Sequence, residues 1–354
     1  MTINQIKMKL HTPEYQFLKE NKHLNSNIIL LGLGGSYSYG TNIETSDLDI
    51  RGVALNSKKE ILLGQDFEQV TDNTTDTVIY SLKKIIQLLL NCNPNVIELL
   101  GLKPEHYLYV SDVGRELLNN KHLFLSKKAI QSFGGYATSQ LRRLDNKAMR
   151  TVSQKEQEQH ILNSIQNARY SFLEKYHPIS AVNGDFVNLY LDKAIQEDFD
   201  QEIFMDVHLT HYPMRDYKEM WNEMNNIVKE YAKIGKRNQN AATHGKLSKH
   251  MMHLLRLNMM CLDILEKGEI NTYREKEHDL LMSVRNGDFL DKNNQPIPEF
   301  FELVKEYEDK LEYAKKYTEL PDIPNYEKVN ELMSNINEQI IISNIDREEI
   351  YERL

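Results

Sequence analysis

Two short stretches of the chain carry residue types whose spacing supports chemistry. The first, Leu33-Gly34-Gly35-Ser36-Tyr37, ends an apolar run; the second, after a polar loop, is Ser46-Asp47-Leu48-Asp49-Ile50-Arg51-Gly52-Val53. Gly34 and Gly35 let the backbone turn with positive φ and place no side chain between its N–H groups and an anion. Ser36 adds a hydroxyl that can donate to a phosphate oxygen. In an extended chain Asp47 and Asp49 share one face, and Leu48 and Ile50 the other. Two carboxylates so close repel unless a cation lies between them. Hard oxygen donors of this kind suit Mg²⁺, which fills its other positions with water and substrate phosphate. Alone, a Gly-Gly-Ser turn is usually just a turn, and an Asp-x-Asp on a strand is usually just solvated. Their order and the ten residues from Tyr37 to Ser46 make the signal specific: a phosphate cradle facing a metal site.

Three strands must position these groups. Residues 27–33 form a continuous apolar run bounded by turn residues, and 47–55 and 76–81 follow, with helices predicted over Leu82–Leu90 and after Pro94. Two bridged metals need shared carboxylates, and a further carboxylate near the attacking hydroxyl can orient it and take its proton. Asp76 is the choice for that third position, because it opens the strand expected to pair beside Asp47–Val53. Glu68 and Asp72 are its neighbours in a polar connection, where they read as solvated loop charges. Asp47, Asp49 and Asp76 are thus expected to hold two Mg²⁺ ions, or Mn²⁺. Glu98, inside Val96-Ile97-Glu98-Leu99-Leu100, has to find a partner when buried, and reads as a structural ion pair or hydrogen bond rather than a metal ligand.

At this point the chain resembles the DNA polymerase β-type nucleotidyltransferase superfamily, whose signature is an apolar residue, Gly-Gly or Gly-Ser, a gap of this length, and Asp-apolar-Asp. Further stretches narrow the resemblance: Asp76-Thr77-Val78-Ile79-Tyr80, Asn93-Pro94-Asn95-Val96-Ile97-Glu98-Leu99-Leu100, Gly134-Gly135-Tyr136-Ala137 with Gln140-Leu141-Arg142-Arg143-Leu144, Lys236-Arg237-Asn238, and Lys249-His250-Met251-Met252-His253-Leu254-Leu255-Arg256. Together, over residues 25–290, they are similar to the RNA-repair-associated polymerase β family of bacteria and bacteriophages. The resemblance implies an α+β fold, a small mixed-sheet core followed by a mainly helical domain. It implies transfer of a nucleoside monophosphate from a nucleoside triphosphate such as ATP to an acceptor hydroxyl, with pyrophosphate released. Association with RNA repair favours an RNA 3′ end as acceptor.

A second wall for the nucleotide is expected on a basic helix. Between Glu230 and Asp263 there is no acidic residue, while Lys233, Lys236, Arg237, Lys246, Lys249 and Arg256 fall in that window. Lys246, Lys249, His250, His253 and Arg256 recur at helical steps and share a face opposite Leu247, Met251, Leu254 and Leu255. Such a face could neutralise the charge growing on departing pyrophosphate. His250 and His253 are spaced i, i+3 with no Glu between them, which removes a zinc-protease reading. Neutral imidazoles donating to phosphate or a carboxylate fit better. Gly134-Gly135-Tyr136 with Arg142 and Arg143 is either a base-stacking contact or ordinary packing.

Composition agrees with an enzyme of two subdomains. The chain has 354 residues and a formal net charge of −9, which argues against a protein coated in nucleic acid and makes the basic window a local device. Cys92 and Cys261 are far apart and read as reduced core residues. No secretion signal or membrane-length apolar run occurs, so a cytoplasmic protein is expected. Helical periodicity sets in near Lys127: Ala129–Asp145, Ser153–Tyr176, Met214–Lys233, Lys246–Lys267 and Pro298–Tyr317, with Glu202–Leu209 as a strand or hairpin arm. The expected division is a catalytic core over 1–125, a helical nucleotide- and acceptor-binding domain over 126–325, and a C-terminal helix and tail over 326–354. Besides RNA, the acceptor classes are a small hydroxylated molecule, as in aminoglycoside nucleotidyltransferases, and a protein hydroxyl. A nucleotide-binding sensor is the non-enzymatic alternative, against which the intact Asp47, Asp49 and Ser36 count.

Overall fold

The computed structural model describes residues 1–149, 186–193, 195, 201–234 and 245–342. They fall into two units: Met1–Gln140 with Met251–Phe289 and Pro298–Leu354, and Leu141–His250 with Leu290–Ile297.

The first unit is built on a five-stranded sheet. Its strands are β1 (Ile28–Leu33), β2 (Ile50–Ala54), β3 (Gln69–Asp72), β4 (Thr77–Ser81) and β5 (Tyr107–Val110), in spatial order β3-β4-β2-β1-β5. β1 is buried along its whole length and pairs antiparallel with both β2 and β5. β2 and β4 run parallel, with Ile50 opposite Thr77. The strand expected over 47–55 is shorter than its sequence pattern, so Asp47 and Asp49 lie in the connection just ahead of β2. Alternation survives there all the same: Leu48 and Ile50 are buried, Asp47 is exposed and Asp49 is half-buried.

Each face of the sheet carries its own apolar cluster. One joins Leu31, Leu33, Ile50 and Ile79 to Ile6, Leu10, Tyr15 and Leu18 of the N-terminal segment. Sequence reading missed the helix Ile3–Leu10, although Thr2 and Gln5 form a capping box at its start. The other cluster joins Leu30 and Val53 to Ile85, Leu89, Ile97 and Phe133, and also to Leu257, Met260, Ile264, Val329 and Ile336. The core therefore draws on helices far along the chain, and the expected boundary at 125/126 does not describe it. The helix Gly245–Lys267 shows why: from Met251 to Leu265 every residue is buried except His253, which is half-buried. A helix that is apolar on most of its circumference has to be covered on all sides. Cys92 and Cys261 are both free and buried in this cluster.

In the second unit, β6 (Phe186–Lys193) and β7 (Gln201–His208) pair antiparallel along their full length, so the arm read at 202–209 is half of a hairpin. The helix Met214–Ile234 follows. The helix expected over Ser153–Tyr176 lies outside the described residues.

Candidate active site

The site begins where β1 ends. The Gly34 N–H donates to the Asp49 carbonyl at 2.8 Å, which ties the turn to the segment bearing the carboxylates. Gly35 has φ +52°, and a Cβ placed on it would land on Asp49 Oδ2. Only glycine fits there, for both backbone and space. The five-residue helix Gly35–Tyr39 then starts, with Gly35 and Ser36 half-buried. The first N–H groups of a helix have no partner within it, so this turn presents donors beside a carboxylate.

Arg51 ties the carboxylate segments together. Its Nη2 is 3.3 Å from Asp49 Oδ1, and its Nη1 donates to the carbonyls of Ile50 (2.9 Å) and Asp76 (2.5 Å). The signal for it was in the sequence, since Arg51 continues the i, i+2 series of Asp47 and Asp49.

Asp76 is brought beside β2, but with its backbone forward. Its carbonyl accepts from the Ile50 N–H at 3.3 Å as well as from Arg51, and its φ of +48° takes the residue out of the run of β4. Its negative charge acts on Tyr15, in the cluster under the opposite face: burial first, then Glu14, Asp72 and Asp76, push the Tyr15 phenol up to about 12. Among the described residues no group of three or more His, Cys, Asp or Glu is arranged to hold a metal. The expected gathering of Asp47, Asp49 and Asp76 is therefore not seen, because the left-handed backbone at Asp76 presents a carbonyl where a carboxylate was expected. Of the other acids, Glu68 pairs with Lys84 at 2.8 Å. Asp72 accepts from the hydroxyls and N–H groups of Thr74 and Thr75, which hold its carboxyl below the usual range.

Glu98 is buried and paired, as its sequence context required. It accepts from the Tyr39 hydroxyl and from Arg256 Nη1 at 3.0 Å, across 158 positions of sequence. Its backbone is clamped too, its carbonyl accepting from the Thr272 hydroxyl at 2.7 Å. Arg256 also lies over the Tyr39 ring, 3.5 Å from the centroid, and its Nη2 meets His253 Nδ1 at 2.8 Å. The expectation of Arg256 on an open cationic face is thus corrected: the residue is 2% exposed, and its compensating acid comes from a distant segment. Burial pushes Tyr39 well above the usual phenol range, and the charge and hydrogen bond of Glu98 add to that, against the opposing charge of Arg256. Tyr80 is likewise pushed up, first by burial, with the charge of Arg51 opposing and that of Glu98 adding to it.

The remaining candidates divide by unit. Tyr136 is half-buried against the core, and its hydroxyl accepts from Asn95 Nδ2 at 3.2 Å, an arrangement of packing and anchoring. Lys249, exposed, and His250, half-buried, belong to the second unit. The side chains of Lys246, Arg142 and Arg143, and all of residues 235–244 with Lys236 and Arg237, lie outside the described residues.

The donor chemistry fits a divalent cation in part. Asp47, exposed, and Asp49, half-buried, are carboxylate oxygens beside the glycine turn, the kind of hard ligand that suits such a cation. Among the described residues no helix is long and apolar enough to cross a membrane. Residues 5–163 match the RNA repair pathway DNA polymerase beta family. No curated protein and no solved structure matches the chain.

Proposed function

We propose, from the match of residues 5–163 to the RNA repair pathway DNA polymerase beta family, that the chain transfers a nucleoside monophosphate from a nucleoside triphosphate to the 3′ hydroxyl of RNA and releases pyrophosphate. The observation that carries this reading is the fit of Asp49 into the space Gly35 leaves empty. Phosphate donors and carboxylate then form one site rather than two neighbouring features.

In this mechanism the backbone N–H groups at Gly35 and Ser36, with the Ser36 hydroxyl, hold the phosphates of the nucleotide. Asp47 and Asp49 would hold Mg²⁺. When bound, the ion supplies the positive charge that brings the acceptor oxygen and the α-phosphate together and eases loss of the acceptor proton. Arg51 keeps Asp49 oriented and adds a fixed positive charge beside the phosphates. The acceptor hydroxyl gives its proton to water as its oxygen attacks the α-phosphorus, the bond to the bridging oxygen breaks, and the pyrophosphate leaves with that oxygen. Catalysis in such a site is positioning and charge compensation more than bond-making by the protein. Asp76 acts here through its carbonyl on Arg51, rather than as the third ligand that its sequence position invited.

The RNA acceptor rests on the family's association and on the basic residues of the window 233–256. Incubating the full chain with Mg²⁺ and each labelled triphosphate against pooled RNA, small hydroxylated metabolites and protein lysate tests both halves. Label in RNA, with RNA affinity falling steeply as salt rises, supports the reading. Label in the small-molecule or protein fraction moves the acceptor to that class. Pyrophosphate release undiminished in the Asp47→Asn, Asp49→Asn double variant would sink the assignment of the site.

A further inference from the structure

β5 is the outermost strand of its sheet, and beside it lies a groove that takes no part in the site described above. The groove encloses about 970 Å³ between the start of β1, the residues that follow β2 and β5, and the last turns of the helix Tyr326–Ile342, all within the first unit. Ile28, Ile29 and Leu55 make its floor and Ile340 its far wall, each of them buried. Ile342, at the rim, is 71% exposed. A large aliphatic side chain held in water beside an apolar floor marks a surface that gains from being covered. The groove is remote from the glycine turn: Ile29 and Gly34 stand near opposite ends of β1, roughly 15 Å apart at the rise of a strand.

Charge decides what can cover it. Among the described residues, Asp112, Glu116 and Glu338 line the groove against one guanidinium, Arg115. Arg115 is itself engaged, its Nη2 donating to Asp112 at 2.5 Å and its Nη1 to the Val110 carbonyl at 3.3 Å. Glu116 accepts from Gln339 Nε2 at 3.3 Å, which joins the two walls without neutralising the carboxylate. An acidic rim repels RNA. It also disfavours a second copy of a chain with a net charge of −9, and the chain's own residues 343–354, where four acids accompany two arginines. A small molecule would stay wet on the side of Asp112, Arg115, Glu338 and Gln339, which are exposed, whereas ligand cavities enclose most of their occupant. With the Val110 carbonyl taken by Arg115, the free edge of β5 is poorly suited to an added strand.

We propose that this groove docks an amphipathic helix of a partner protein, with its aliphatic side chains on Ile28, Ile29, Leu55 and Ile340 and its lysines or arginines against Asp112, Glu116 and Glu338. The docking is independent of the nucleotidyltransferase reading.

Three labelled synthetic helical peptides serve as probes for the full chain: one of Leu and Lys in amphipathic order, one with Glu in place of Lys, and one with Ser in place of Leu. By fluorescence anisotropy the Leu/Lys peptide is expected to bind with a Kd of about 10 µM, and the other two about tenfold more weakly or worse. Asp112→Lys combined with Glu338→Lys should weaken the Leu/Lys peptide about tenfold and admit the Leu/Glu peptide. Ile342→Ser should weaken the Leu/Lys peptide about threefold. All three positions are exposed, so melting temperatures should stay within about 2 °C of the unaltered protein. Glu302→Lys combined with Glu308→Lys, at exposed positions of the helix Pro298–Tyr317, is the control for general attraction and should change binding less than about twofold. An equal loss in that control, or no discrimination among the three peptides, would overturn the proposal. Displacement of the probe by a synthetic peptide of residues 343–354 would assign the groove to the chain itself. A molecular mass that rises with concentration and is restored to the monomer by Ile342→Ser would assign it to a second copy; either result overturns the partner helix.

Discussion

At Gly35 a single missing carbon decides the site. Its φ of +52° and the occupation of its Cβ position by Asp49 Oδ2 are two separate reasons for glycine. Gly35→Ala is therefore expected to cost about 1–2 kcal/mol of stability from the left-handed backbone. It should cut nucleotidyl transfer about a hundredfold or more, because the carboxylate must move; chemical denaturation and pyrophosphate release measure the two effects separately. Asp49 and Asp76 part company at the same scale. Asp49→Asn should remove transfer by about a thousandfold or more, whereas Asp76→Asn, which keeps the carbonyl that binds Arg51, should cost less than about tenfold. Comparable losses in the two variants would return Asp76 to the ligand set. Asp47, Asp49, Gly35 and Ser36 were legible in the sequence because a local turn and a period of two determine them. Asp76 was read only in part: its placement beside β2 follows from strand pairing, but its positive φ (+48°) leaves no trace in residue type.

Among the elements, the helix Gly245–Lys267 differs most from its sequence pattern. An acid-free, Lys- and His-bearing helix reads as a cationic surface, yet its residues from Met251 to Leu265 form a core element. The acids that balance it lie outside the window: Glu98 for Arg256, and Asp263 at its own C-terminal end. Asp263 bonds Lys267 at 2.8 Å and Arg274 at 2.8 Å, fastening the end of the helix to the segment that follows. Burial by itself would push the Asp263 carboxyl up; the hydrogen bond from Lys267 and the charge of Arg274 outweigh it and hold the group below the usual aspartate range. A depressed value in the folded state means that Asp263 stabilises the fold above its unfolded pKa, about 4, and that this contribution disappears as pH falls through the lower folded value. Thermal melts across acid pH should show a steeper loss for the unaltered protein than for Asp263→Asn. At neutral pH Asp263→Ala should cost about 2 kcal/mol, since it takes the 2.8 Å partner from buried Arg274 and leaves only Glu277, at 3.3 Å, to balance it.

For the whole molecule, the matched span and the folding unit are different stretches. Residues 5–163 carry the family match, while the cluster on the sheet face of Leu30 and Val53 needs Leu257, Met260, Ile264, Val329 and Ile336. A chain ending at residue 163 is expected to give no cooperative thermal transition by circular dichroism, because removing these side chains exposes the apolar face of Leu30, Val53, Ile85 and Leu89. A sharp transition in that fragment would show that the later helices are dispensable.

The sequence by itself determined what is local: the apolar β1, the turn after it, the alternation at Asp47–Ile50, the capped and periodic helices, and the need of Glu98 for a partner. These depend on residue type and on periods of two and 3.6, which neighbours in the chain impose on one another. Only the tertiary structure decided that Glu98 pairs with Arg256, that Arg51 bridges Asp49 to the Asp76 carbonyl, and that the helix Gly245–Lys267 lends its later turns to the core. Each of these joins segments distant in sequence, where the free energy of burying charge and apolar surface selects partners that no local pattern specifies.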